Sequence, residues 1–119
     1  MISFKPETDD KILGEYPDSV IFNAYENDEL IARAYLKTDM LFCDVYKLEY
    51  PEDKLYIAQG LLKACYNYGT SVNTYMGKLS DRNCDEVAKS MNFIFDGKSY
   101  VNDIPTLLMG NCSCYENEI

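Results

Sequence analysis

Residues Leu48–Gly69 read "LEYPEDKLYIAQGLLKACYNYG", and the change of period inside this stretch decides the fold. Up to Tyr50 the pattern is that of a strand. From residue 52 onward Leu55, Ala58, Leu62, Cys65 and Tyr66 recur at three- and four-residue spacing, which predicts an amphipathic helix over 52–68. Gly69 is expected to stop it as a left-handed C-cap. At the junction lies "DKLYIA", Asp53 to Ala58, where a phosphate-binding turn would open a helix, yet no glycine occurs before Gly60.

On the N-terminal side, "SVIFNAYE" (19–26) and "ELIARAYLKT" (29–38) are β-rich runs joined by Asn27-Asp28, a strong hairpin turn. A third run, "LFCDVYKLEY" (41–50), follows, so the three predict an antiparallel meander. Residues 2–4 start a short strand, and "TDDKILGEY" holds a helical turn. On the C-terminal side, "SVNTYM" (71–76) reads as a strand. Ser80-Asp81 are N-cap candidates for a second helix that turns Val87 and Met91 inward and ends at Asn92. "NFIFDGKSYV" predicts a hairpin around Asp96-Gly97, and Pro105 precedes a last apolar segment, "TLLM". The order β-β-β-α-β-α-β-β gives an α+β (α/β) protein, a single domain over 1–119. Its sheet is mixed but mainly antiparallel, with two main helices, and one helix joins two adjacent parallel strands.

Composition narrows the function classes. A chain of 119 residues with 47% hydrophobic and 26% charged residues buries one core and is not disordered. The net charge of −9 leaves no Lys/Arg cluster to displace counterions, so neither nucleic acid nor an anionic membrane surface is an expected partner. No apolar run is long enough to span a bilayer and "MISFKPETDD" lacks a signal peptide's apolar core, so a cytoplasmic location is expected. Cys43, Cys65 and Cys84 sit in apolar periodic segments and read as buried small hydrophobes. Cys112 and Cys114, spaced C-x-C with no histidine in the chain, are expected to be free thiols rather than metal ligands.

The order and spacing over residues 48–93 resemble the GNAT family of acyl-CoA N-acyltransferases. In that family the fourth strand leads into an Arg/Gln-x-x-Gly-x-Gly/Ala turn and a helix, and the coenzyme's pyrophosphate sits on that turn's amides and the helix N-terminus. Aligning "LLKACYNYG" with the family's helix ending places the turn on Asp53, Lys54, Leu55, Tyr56, Ile57 and Ala58. Of these only Ala58 conforms; Asp53 replaces the Arg/Gln and Tyr56 the first glycine. Leu48 falls at the apolar residue closing the fourth strand, and "AKSMNF" (88–93) resembles the family's Y-x-K-L-G-F, with Ala88 at its proton-donating tyrosine.

The resemblance implies acetyl-CoA as acyl donor, no metal, and an amine-bearing small molecule or peptide as acceptor. Leu48 and Asp53–Ala58 would bind the coenzyme, Asp44 or Glu49 would accept the amine's proton, and Tyr56, Tyr75 or Tyr46 would replace the missing acid. The altered turn opposes tight coenzyme binding: two like unit charges ~5 Å apart at an effective dielectric of ~20 repel by about 3 kcal/mol. A non-catalytic GNAT-like binding or dimerisation module that has lost CoA binding is therefore the alternative. Residues 5–18 leave room for one or two helical turns where the family has two helices, so the acceptor side is expected to be open or completed in a homodimer.

Overall fold

The computed structural model describes residues 1–81 and 83–109. Seven strands form one sheet: β1 (Ile2–Pro6), β2 (Val20–Glu26), β3 (Glu29–Thr38), β4 (Phe42–Glu49), β5 (Met76–Leu79), β6 (Ile94–Phe95) and β7 (Tyr100–Asp103). Four helices are interspersed: α1 (Asp10–Glu15), α2 (Leu55–Ser71), α3 (Asp85–Lys89) and α4 (Ile104–Leu108). The strands lie in the order β1-β2-β3-β4-β5-β7-β6, and every neighbouring pair is antiparallel except β4 and β5. The mixed, mainly antiparallel sheet thus agrees with the expected class, and α2 is the crossover between its two parallel strands.

Local chemistry explains the turns. Asn27 and Asp28 both take positive φ, 54° and 69°, the geometry a two-residue hairpin needs to match strand twist. Gly97, at φ 101°, turns the β6–β7 hairpin, where the Asp96 carboxylate accepts from the amides of Lys98 and Ser99.

The core lies between the sheet and α2. Ile57, Ala58, Leu61, Leu62, Cys65, Tyr66 and Gly69 form the buried stripe of that helix, against Phe22, Ala24, Ala34, Leu36, Cys43, Val45 and Leu48 of the strands. Each large apolar side chain here contributes about 1.5–3 kcal/mol by leaving water. α3 and α4 add Val87, Ala88, Ile104 and Leu107 to the same core. Tyr66 is wholly buried, and its hydroxyl donates to the carbonyl of Lys78 at 2.7 Å, so its polar tip is satisfied on β5.

Several local expectations are corrected. Gly69 does not stop α2: the helix runs to Ser71, and Asn73, not the glycine, takes the left-handed conformation at φ 67°. Gly69 lies buried where the helix crosses β4, and a Cβ there would stand 2.8 Å from Cys43 Cβ. The strand expected at 71–76 begins only at Met76, because the helix consumes residue 71 and a turn follows. α3 is capped at Cys84 rather than at Ser80-Asp81. The "TLLM" segment is helical: Asp103 caps α4 by accepting from the Thr106 amide, and Pro105 occupies its first turn, where a missing N–H costs nothing. Cys43, Cys65 and Cys84 are buried as expected, whereas Cys112 and Cys114 lie outside the described residues.

Candidate functional site

The parallel pair opens at one end. β4 and β5 are in register from Phe42↔Met76 to Val45↔Leu79, and the amide of Ser80 donates to the carbonyl of Val45 at 3.0 Å. There β5 ends, while β4 continues to Glu49. At the same point β4 carries a bulge: Leu36 pairs with Val45 and Tyr35 with Lys47, leaving Tyr46 as the extra residue. Bulge and strand end together produce a gap beyond Val45. The amide of Leu48 donates into that gap, and its partner is the carboxylate Oδ2 of Asp81, at 2.9 Å. The other carboxylate oxygen, Oδ1, accepts from the amide of Asn83 at 2.9 Å.

The residues expected to bind a coenzyme lie at the end of β4 and at the start of α2. Leu48 keeps its side chain in the core while its amide faces the opening. Lys54 is the N-cap of α2 without supplying a side-chain cap, and no acidic residue stands in the first turn. Its ammonium lies 3.4 Å from Glu26, whose charge holds the Lys54 pKa above its ordinary value. Asp53 is exposed, and Tyr56 is 55% exposed, so its ring lies toward solvent. Ile57 and Ala58 are buried core side chains; they can offer a ligand nothing but backbone.

The expected catalytic groups are separated by the bulge. Asp44, before it, accepts from the Ser80 hydroxyl at 2.7 Å. Glu49, at the end of β4, accepts from the Tyr35 hydroxyl at 2.9 Å. Burial, then that hydrogen bond, push the Tyr35 phenol well above its ordinary range. Tyr46 shares a 2.6 Å hydrogen bond with Ser19, and Tyr75 is exposed. Ala88 is fully buried in α3, so no proton donor projects from that position.

Two features escaped the sequence reading. Lys47 sits over the rings of Tyr16 and Tyr35, 5.6 and 5.0 Å from their centroids, and 3.9 Å from Glu49. Its signal is the bulge that puts residue 47 opposite residue 35, and composition does not reveal it. Asp81 has the local pattern of a helix cap, an Asp shortly before a helix, whereas its bond to Leu48 spans 33 residues.

A cavity of about 250 Å³ lies beside the end of β4, lined by Leu30, Ile31, Ala32, Arg33, Glu49 and Tyr50. It is smaller than the ~300–1,000 Å³ usual for a small-molecule site. Another of about 480 Å³ lies near β1, between Ser3, Lys5, Glu7, Tyr25 and Asp28. Among the described residues no group of three or more His, Cys, Asp or Glu side chains is arranged to hold a metal ion, and no helix is long and apolar enough to cross a membrane.

The sequence matches no family model and has no significant match to a curated protein. Solved structures match well. A protein of the GNAT family from Desulfovibrio desulfuricans superposes with a TM-score of 0.65 at 9% identity, over 87% of this chain and 99% of that one. A GNAT family acetyltransferase from Elizabethkingia anophelis, solved with acetyl-CoA bound, gives 0.60 at 13% identity, over 86% and 93%. The ribosomal-protein-S18-alanine N-acetyltransferase of Escherichia coli gives 0.61 at 11%, over 85% and 90%.

Proposed function

Because the chain has the GNAT fold, we propose that it is an acyl-CoA-dependent N-acetyltransferase acting on an amine-bearing small molecule or peptide. The observation that carries this reading is that β5 ends at Leu79 while β4 runs on to Glu49, which leaves the Leu48 amide without a strand partner on that side. An amide so placed polarises a carbonyl without any side chain. Fit with acetyl-CoA rests on three local facts: β4 continuing past the end of its parallel partner β5, the first turn of α2 with no acidic residue in it, and Tyr56 turned to solvent. Two groups stand against the fit: the Asp81 carboxylate on the Leu48 amide, and Asp53, exposed just before α2 where the family carries Arg or Gln.

When bound, acetyl-CoA supplies the acetyl group as a thioester. The chain's own part is to hold and to move protons. With Asp81 displaced, Leu48 N–H would hold the acyl oxygen, and the start of α2 with the Lys54 ammonium would hold the phosphates. Glu49 takes the proton of the attacking amine, held in place by the Tyr35 hydroxyl, with Asp44 the second candidate. Tyr56, exposed on the first turn of α2, would be the group to return a proton to the leaving sulfur. Calorimetry with millimolar acetyl-CoA, followed by an amine-panel assay for thiol release, tests the proposal: binding and turnover are expected, and no heat with no thermal shift would overturn it.

A second reading, a non-catalytic GNAT-fold binding or dimerisation module, is favoured by the burial of Ala88 where the family carries its acid and by the occupied Leu48 amide. This module has lost coenzyme binding: a folded chain that binds no acetyl-CoA would select it, and bound coenzyme or turnover of any amine would rule it out.

A further inference from the structure

The carboxylate of Asp81 stands where the acyl oxygen of the preceding reading would stand. It reaches back from the end of β5 across the gap and accepts the Leu48 amide at 2.9 Å, while its second oxygen is pinned by the Asn83 amide at 2.9 Å. Next to it, Ser80 makes a second bridge over the same opening, donating to Asp44 on β4 at 2.7 Å. Below them, the Cys84 thiol is buried, and burial followed by the charge of Asp81 pushes its pKa up to about 12. Two side chains in sequence therefore cross from β5 to β4 where the backbone pairing has stopped. The N-cap position of α3 is Cys84, which supplies no side-chain cap bond, so Asp81 stands outside the helix and bonds to β4.

We infer that Asp81 is an internal stand-in for the ligand's carbonyl: Ser80 and Asp81 form a gate, and what the gap admits is decided by displacement of the Asp81 carboxylate from the Leu48 amide. This rests on the acyl-CoA reading above. Its chemical content is specific. The amide already holds a charge-assisted acceptor, which is roughly twice as strong as a neutral one. A neutral thioester or amide carbonyl competes poorly with it. In addition, the coenzyme's anionic phosphates are repelled by a fixed carboxylate at the mouth.

The test uses the full chain and acetyl-CoA. D81A removes both oxygens, and D81N keeps an acceptor for Leu48 N–H while deleting the charge. D81A is expected to bind acetyl-CoA at least ten-fold more tightly than the parent by calorimetry, with D81N about three-fold tighter. Amide hydrogen exchange at Leu48, measured without ligand, is expected to accelerate at least ten-fold in D81A and little in D81N. Equal or weaker binding by a folded D81A, while the parent binds, overturns the gate and leaves the acyl-CoA reading standing. Unchanged Leu48 exchange overturns the gate whatever the coenzyme does. Absence of binding by parent and variants alike overturns both readings. Should D81A not fold, D81N decides: no gain in affinity over a binding parent overturns the gate.

Discussion

Gly69 illustrates how one side chain's absence sets a contact. A Cβ there would stand 2.7 Å from Thr74 Oγ1 and 2.8 Å from Cys43 Cβ, so α2 can approach β4 only over a hydrogen. The sequence places a glycine near a helix end, and the local rule reads it as a cap; its packing role depends on Cys43, 26 positions earlier. Replacing it should therefore be harmful although it lies inside a helix, where alanine is intrinsically better than glycine by up to ~1 kcal/mol. Gly69→Ala is expected to lose about 1–3 kcal/mol in urea denaturation through overpacking. A gain in stability would contradict the close approach. Tyr56 shows the reverse case: its position in the sequence warned of a ring in the phosphate path, and the structure turns that ring to solvent.

Among the elements, the segment joining β1 to α1 is held by a polar network on the sheet face opposite α2. Asn23 is fully buried on β2 and donates to Glu7 Oε1 at 2.8 Å, while Arg33 on β3 donates to Asn23 Oδ1 at 2.8 Å and to Glu7 at 2.9 Å. Glu7 thus satisfies two groups that water reaches poorly. Glu7→Ala is expected to lose about 1–3 kcal/mol, the cost of leaving buried donors unmatched; an unchanged denaturation midpoint would show the network to be dispensable. The same contacts fix a pH dependence. The Asn23 hydrogen bond first, then neighbouring amides and Arg33, hold the Glu7 pKa below 4.5. A lowered folded pKa adds stability that is complete above the unfolded value and is lost as pH falls through ~4.5 toward the folded one. The acid limb of the stability profile should accordingly flatten in Glu7→Ala. In β4 the bulge had a visible trace: buried positions run Cys43, Val45, then Leu48, a step of three where alternation requires two.

Across the entire core, three thiols and a phenol share one dry interior. Burial, with lesser contributions from neighbouring charges, pushes Cys43 and Cys84 up to about 12, and moves Cys65 and Tyr66 well above their ordinary values. Groups whose folded pKa is raised contribute stability below the unfolded pKa and lose it as pH climbs toward the folded one. In the unfolded chain the thiols ionise near pH 8.5. Stability should therefore fall between pH 9 and 12, at up to about 1.4 kcal/mol per pH unit for each thiol still protonated in the folded state. Urea midpoints at pH 8, 9.5 and 10.5 measure this, and a flat profile would place the thiols in water.

Strand and helix order, the two tight turns and the buried face of α2 follow from residues within a few positions of one another. Asn27-Asp28 accept positive φ, Asp96-Gly97 turn on their own side chain, and Leu62, Cys65 and Tyr66 mark a face by spacing. Backbone preference and periodicity act at that range, which is why they could be read along the chain. The opening between β4 and β5, the carboxylate of Asp81 on the amide of Leu48, and the bond of Glu7 to Arg33 join residues 34, 33 and 26 positions apart. Those contacts depend on where a bulge displaces a strand and where its neighbour stops, quantities that exist only once the sheet has assembled.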